Sequence, residues 1–100
     1  MFKNEQDALE CFCKAFELKI ASMAYDTVEG GYLARLRPDG TSPYESEIYC
    51  YVGMRKSGEA WIRLQDFIDY GDAMSIPEAI NREREIFLSE GWKNISGKWE

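Results

Sequence analysis

The stretch EIYCYVGM, residues 47–54, decides the fold, because its side chains alternate with the period of a β-strand. One face carries four apolar residues: Ile48, Cys50, Val52 and Met54. The opposite face carries Tyr49 and Tyr51. The stretch therefore predicts a strand with an apolar inner face and an aromatic outer face.

A second run follows this strand after a turn at residues 56–58, Lys-Ser-Gly. Ala60, Ile62 and Leu64 alternate as in a strand. A helical stripe through the same region is also formed by Trp61, Leu64, Phe67 and Ile68. Because a hairpin turn precedes the run, we favour a strand over residues 59–64 and then an irregular acidic segment. The pattern leaves residues 61–74 open between strand, helix and loop.

Two more strands are predicted on the N-terminal side of this centre. Residues 23–28 and 32–37 flank Glu29-Gly30-Gly31, where glycine suits the positive φ of a hairpin turn. Residues 38–40, Pro-Asp-Gly, form a second turn, and residues 41–44 are expected in a loop. Consecutive short strands joined by such turns predict an antiparallel meander.

A helix is predicted before the sheet, over residues 5–23, with Asn4 as its N-cap. Its apolar face is formed by residues at helical spacing: Leu9, Phe12, Cys13, Phe16 and Ile20.

A second helix is predicted after the sheet. Ser75 and Glu78 have the spacing of a capping box, Pro77 suits the first turn, and Gly91 follows the helix. Residues 92–95 read as a short final strand. Together the elements predict one α+β domain over residues 1–100. It has an N-terminal helix, an antiparallel β meander of three to four strands and a C-terminal helix, packed in two layers.

Negative charge is concentrated in residues 64–81, LQDFIDYGDAMSIPEAIN, which contain four carboxylates and no Lys or Arg. They account for −4 of the net charge of −6. Such a chain is not expected to bind nucleic acid directly, since that requires cations that displace counterions from phosphates. No apolar run approaches the length of a membrane span. The odd count of three cysteines favours a reducing compartment, and we expect a cytoplasmic protein.

The residue types argue against an enzyme. The chain has no histidine, the commonest general base and the usual partner of a nucleophilic Ser or Cys. Cys11 and Cys13 would diverge on a helix and read as small buried apolar residues rather than metal ligands. The aspartates spaced by three, starting at Asp66, lack the EF-hand pattern. We therefore predict no catalytic residues, no metal and no cofactor.

A binding surface is the remaining prediction. We assign it to acidic and aromatic residues: Asp66, Asp69, Tyr70, Asp72, Tyr49 and Tyr51. Carboxylates on such a surface can imitate the phosphates of nucleic acid and fill a basic groove on another protein. The partner would be a nuclease or a nucleic-acid-guided complex. The protein would act as an anti-defence or immunity inhibitor of the phage type, an analogy from size and charge alone.

An alternative uses the aromatic face itself. Exposed Tyr49 and Tyr51 on a sheet, with Trp61 and Arg63 beside them, could stack a nucleotide or another small ligand. They could equally pack against a helix or a second copy of the chain, so a homodimer stays open as well.

Overall fold

The computed structural model describes residues 2–65 and 70–90, and within them it confirms the α+β architecture. The elements in chain order are α1 (Glu5–Ala15), β1 (Leu18–Asp26), β2 (Gly31–Pro38), β3 (Ile48–Met54), β4 (Ala60–Leu64), β5 (Met74–Ser75) and α2 (Ile76–Glu90).

The strands form one antiparallel sheet in the order β1-β2-β3-β4-β5, so each strand pairs with its neighbours in the chain. This is the predicted meander, with four longer strands and a two-residue fifth strand that leads directly into α2. The centre of the sheet is β3, where Cys50 lies between Ala34 of β2 and Leu64 of β4.

The core lies between one face of the sheet and the two helices. Its largest fully buried side chains are Phe12, Phe16, Leu9, Leu36, Ile62, Ile76, Val52 and Cys50. Ile48 and Met54 pack against this cluster, so the alternation predicted for β3 is confirmed. At the edge of the core the Tyr44 hydroxyl donates a 2.5 Å hydrogen bond to Glu83 on α2. Burial, and then the Glu83 carboxylate, raise the pKa of Tyr44 above its ordinary value.

The first helix is shorter than predicted. Asn4 caps it by accepting a 2.8 Å hydrogen bond from the Asp7 N–H, as expected, but the helix ends at Ala15 rather than at residue 23. Glu17 has a φ of 56°, which reverses the chain into β1. The error has a physical cause: Phe16 and Ile20 are four residues apart, a spacing that fits both a helix and a strand. Pairing with β2 selects the strand.

The hairpin between β1 and β2 is confirmed. Gly30 has the positive φ, 72°, that the turn requires. Asp26 ends β1 because its carboxylate accepts hydrogen bonds from the N–H groups of Val28 (2.9 Å) and Glu29 (3.2 Å). Gly31 is not a turn residue, as its sequence position suggested, but the buried first residue of β2.

The ambiguous run after β3 forms strand β4, as favoured over the helix. The capping box of α2 is also confirmed. The Glu78 N–H donates to the Ser75 hydroxyl at 3.3 Å, and that hydroxyl donates to the Glu78 carboxylate at 2.9 Å.

The three thiols have different surroundings. Cys13 and Cys50 are buried, whereas Cys11 is exposed, so the prediction that both cysteines of α1 are buried is wrong for Cys11. The two positions diverge on the helix as expected, and only Cys13 faces the sheet. Burial raises the pKa of Cys13 and of Cys50 to about 12.

Several predictions fall outside the described residues: the helix stop at Gly91, the strand over residues 92–95, and the conformation of residues 66–69. Within the described parts of the chain, no helix has both the length and the apolar character needed to cross a membrane.

Candidate protein-binding surface

The face of the sheet opposite the helices is open to solvent in the described part of the protein. Antiparallel partners point to the same side of a sheet, so Leu33, Tyr51 and Arg63 form one row across β2, β3 and β4. Tyr49 and Arg35 form the next row. Tyr49 is 39% exposed, while the side chains of the first row are half-buried. We call this side the open face.

Trp61 lies flat on the open face because two glycines make room for it. Gly53 is its direct partner on β3. A Cβ atom at Gly53 would overlap the indole, and one at Gly31 would lie 3.0 Å from the indole Cζ2 atom. The Arg63 guanidinium carbon lies 5.6 Å from the centre of the Trp61 ring, within cation–π range. The indole is therefore held between glycine backbone and a cation.

Polar contacts fix the side chains around this indole. Arg63 forms a 3.0 Å ion pair with Glu29 of the β1–β2 turn. The Tyr51 hydroxyl donates a 3.2 Å hydrogen bond to the Asp26 carboxylate. Desolvation, and then this hydrogen bond, raise the pKa of Tyr51 above its ordinary value.

Residues 65–73, which connect β4 to β5, contain the three predicted aspartates, and we call them the acidic segment. This segment is joined to the sheet at Gln65 and Tyr70. Gln65 and Tyr70 form an antiparallel bridge, so the chain leaves β4 and returns to the same place. The Gln65 N–H donates to the Tyr49 carbonyl at 2.9 Å, and the Gly71 N–H donates to the Leu64 carbonyl, also at 2.9 Å.

The Tyr70 ring reaches back to the sheet and contacts Tyr51, with ring centres 4.8 Å apart. The structure thus brings together three of the predicted binding residues, Tyr49, Tyr51 and Tyr70. Tyr70 joins the end of the acidic segment to the aromatic rows.

Of the three predicted aspartates, the structure describes only Asp72. Asp72 is exposed and forms no ion pair with any residue in the described ranges. Arg63, which could have neutralised the segment, is occupied by Glu29 instead. Asp66 and Asp69 lie outside the described residues. They directly follow Gln65 and precede Tyr70 in the chain.

Sequence reasoning missed the residues that support this surface. Asp26 and Glu29 come from the β1–β2 hairpin, distant in sequence from β3 and β4, and only the strand register brings them close. The glycines gave a usable signal: Gly53 interrupts an otherwise regular strand pattern, which often marks a close approach of another group. That group is Trp61.

Among the described residues, no cluster of three or more Cys, Asp or Glu side chains could hold a metal ion. The open face is instead a mixed aromatic and charged surface on a small α+β scaffold. Comparison with protein-family models, with curated proteins and with solved structures gives no match. The function must therefore be argued from the surface itself.

Proposed function

We propose that this protein is a small acidic binding protein, not an enzyme, whose open face and acidic segment cover a basic, nucleic-acid-binding surface of a partner protein. The observation that carries the proposal is continuity: through the Tyr51–Tyr70 contact and the Gln65–Tyr70 bridge, the acidic segment is anchored to the aromatic face. One surface thus combines anchoring rings with the exposed carboxylate of Asp72, which forms no ion pair with a described residue.

The composition of the open face supports a protein partner. Tyrosine, tryptophan and arginine are the residues most enriched among those that contribute most to binding energy. Trp61, Tyr51 and Arg63 are already fixed by neighbours, so little conformational entropy would be lost when a partner covers them. A polar rim is supplied by exposed charges such as Asp72.

The charge distribution supports a basic partner. Two arginines of the open face are each paired with a glutamate, Arg63 with Glu29 at 3.0 Å and Arg35 with Glu47 at 3.8 Å. A third, exposed Arg37, lies opposite Lys19 on the same face and forms no ion pair with a described residue. Asp72 has no such partner among the described residues. The excess of negative charge on the whole chain, −6, would speed association with a cationic surface.

Carboxylates spaced along a surface can take the place of phosphates, so a nuclease or a nucleic-acid-guided complex fits as the partner class. An anti-defence or immunity inhibitor of the phage type is the concrete form of this proposal. The three cysteines without a described disulfide favour action in the cytoplasm.

The test compares two variants that each remove three negative charges. One carries Asp66→Asn, Asp69→Asn and Asp72→Asn. The matched control carries Glu10→Gln, Glu85→Gln and Glu90→Gln, all at exposed positions on the helices. Immobilised wild-type protein and both variants are exposed to bacterial lysate, and the captured proteins are quantified with and without competing single-stranded RNA.

We expect the wild type to capture nucleic-acid-binding proteins that competing RNA displaces. Capture by the aspartate variant should be about tenfold weaker than capture by the control variant. Affinity for the purified partner should fall steeply with salt. Equal capture by the two variants would show that the aspartates are only a solvated surface. Far-UV circular dichroism serves as the control that both variants are folded.

The alternative, a nucleotide or small-ligand site on the aromatic face, receives less support from the contacts. The Tyr51 ring is already in contact with Tyr70, and its hydroxyl is bonded to Asp26. Stacking a base there would require Tyr70 to move. A ligand-induced rise in Tm across a nucleotide panel, lost on Tyr51→Ala, would favour this alternative instead.

A further inference from the structure

Strand β1 is a free edge of the sheet in the part of the chain that the structure describes. It spans nine residues and pairs with β2 alone. An edge strand leaves backbone N–H and C=O groups of alternate residues without a partner, and these groups can pair with another strand. The backbone chemistry of this edge therefore specifies an extended chain as its ligand.

Only the first part of β1 carries features that protect an edge. The register shifts between Ile20 and Ser22, which is a bulge, and Lys19 precedes it. Residues 22–26 pair regularly with β2 and contain no Lys, Arg or Pro. This five-residue segment is therefore regular and open to pairing.

The side chains of this segment divide cleanly between the two faces of the sheet. Met23 is opposite buried Ala34, and Tyr25 is opposite Tyr32, so both lie on the helix side. Ser22, Ala24 and Asp26 therefore lie on the open face. Tyr25 is 57% exposed at the edge, although it contacts the Tyr32 ring at 5.2 Å.

We infer that β1 pairs with β1 of a second copy of this chain, antiparallel, about a two-fold axis at Ala24. In this register Met23 is opposite Tyr25 of the second copy, Ser22 is opposite its Asp26, and Ala24 is opposite its counterpart. In this two-fold register each of the residues 22–26 is opposite a residue of the same segment in the second copy. Both side chains of every pair lie on the same face of the sheet, as antiparallel pairing requires.

The opposed side chains suit one another. On the helix side, Met23 and Tyr25 form two apolar pairs related by the axis, covering the exposed Tyr25 ring. On the open face, the Ser22 hydroxyl can donate to the Asp26 carboxylate, and small Ala24 residues meet at the axis. No like charges are placed opposite each other. Lys19 lies outside the segment and is paired with Asp39 at 3.6 Å. Because the ladder is short, we expect a weak dimer whose population depends on concentration.

The first test introduces like charges at the axis. Ala24 is exposed, so Ala24→Lys should leave the monomer folded while placing two lysines directly opposite each other. Asn81→Lys, at an exposed position on α2, makes the same change of charge away from β1. Sedimentation equilibrium over a wide concentration range should show a dimer for wild type and control, and an about tenfold weaker dimer for Ala24→Lys.

A second test reads the register directly, in a Cys11→Ser background that removes the exposed thiol. Directly opposed Cβ atoms in an antiparallel pair are about 4.5–5.5 Å apart, close to the range of a disulfide. Ala24→Cys should therefore cross-link to a dimer under mild oxidation much faster than Asn81→Cys. Equal cross-linking, or a wild-type protein that stays monomeric at every concentration, would overturn the proposal and leave the edge to an extended peptide of another protein.

Discussion

The glycines beneath Trp61 allow a quantitative test of how the open face is built. In Gly53→Ala the added methyl group would overlap the Cε2 and Cζ2 atoms of the indole. The new Cβ would lie 2.4 Å from these atoms, and ordinary carbon–carbon contact is about 3.5–4.0 Å, so the ring must move outward by about 1–1.5 Å and lose its position under Arg63. Overpacking of this kind costs about 1–3 kcal/mol of the free energy of unfolding.

Gly31→Ala should cost more, although its new methyl group is less crowded by the indole. This methyl group would lie 2.6 Å from the Val52 carbonyl oxygen, which belongs to the backbone of β3. A strand paired on both sides cannot move as a side chain can, so we expect a loss of about 3 kcal/mol or more. Gly40→Ala has no atom within 4 Å of its new methyl group and serves as the control, with a change within about 0.5 kcal/mol.

Urea unfolding followed by far-UV circular dichroism measures all three variants, with Trp61→Ala as a second background. Removal of the indole should abolish the cost of Gly53→Ala, giving a coupling of about 1–3 kcal/mol. The cost of Gly31→Ala should largely persist, because the Val52 carbonyl remains. If Gly53→Ala is as costly without the indole as with it, Trp61 does not lie on that glycine and our description of the open face is wrong.

Three further predictions concern the thiols and the cap of α2. In native protein at pH 8 only Cys11 should react with a thiol reagent, and all three cysteines should react after unfolding. Because the pKa of Cys13 and of Cys50 is raised from 9.0 to about 12, their contribution to stability is complete below pH 9 and is lost as pH rises toward 12; alkaline urea titrations measure this loss. Ser75→Ala should lower the free energy of unfolding by about 1 kcal/mol, whereas exposed Ser46→Ala should have little effect.

Local sequence patterns predicted the elements whose apolar residues fit only one periodicity, either that of a strand or that of a helix. Residues 47–54 alternate without ambiguity, and Ser75 with Glu78 specifies a helix start by direct hydrogen bonds. The end of α1 was not predictable in this way, because Phe16 and Ile20 satisfy both periods. A strand forms there because the residues after Glu17 pair with β2. The β2 residues are distant in sequence, so a local sequence pattern does not include them.

The candidate surface was predictable to the same extent. Tyr49 and Tyr51 follow from the alternation of β3, and Tyr70 from its place in the acidic segment. The contact between Tyr51 and Tyr70, and the polar support from Asp26, depend on strand register and on the bridge at Gln65. These are tertiary facts, so sequence reasoning found the surface residues but not what holds them.

The two proposed contacts lie toward opposite edges of the sheet and should respond to salt in opposite directions. The acidic segment meets the sheet beside β4, while the dimer edge is β1, with β2 and β3 between them. Binding of a basic partner weakens as salt screens the attraction. Association of two copies that each carry −6 strengthens as salt screens their repulsion, because the β1 ladder itself contains no opposed like charges. A dimer would also present two acidic surfaces at the ends of one continuous sheet, which raises the apparent affinity for a partner that has two basic sites.

Because salt should weaken partner binding and strengthen dimer formation, measuring both equilibria over one salt series separates the two interfaces. A single shared surface could not show both responses.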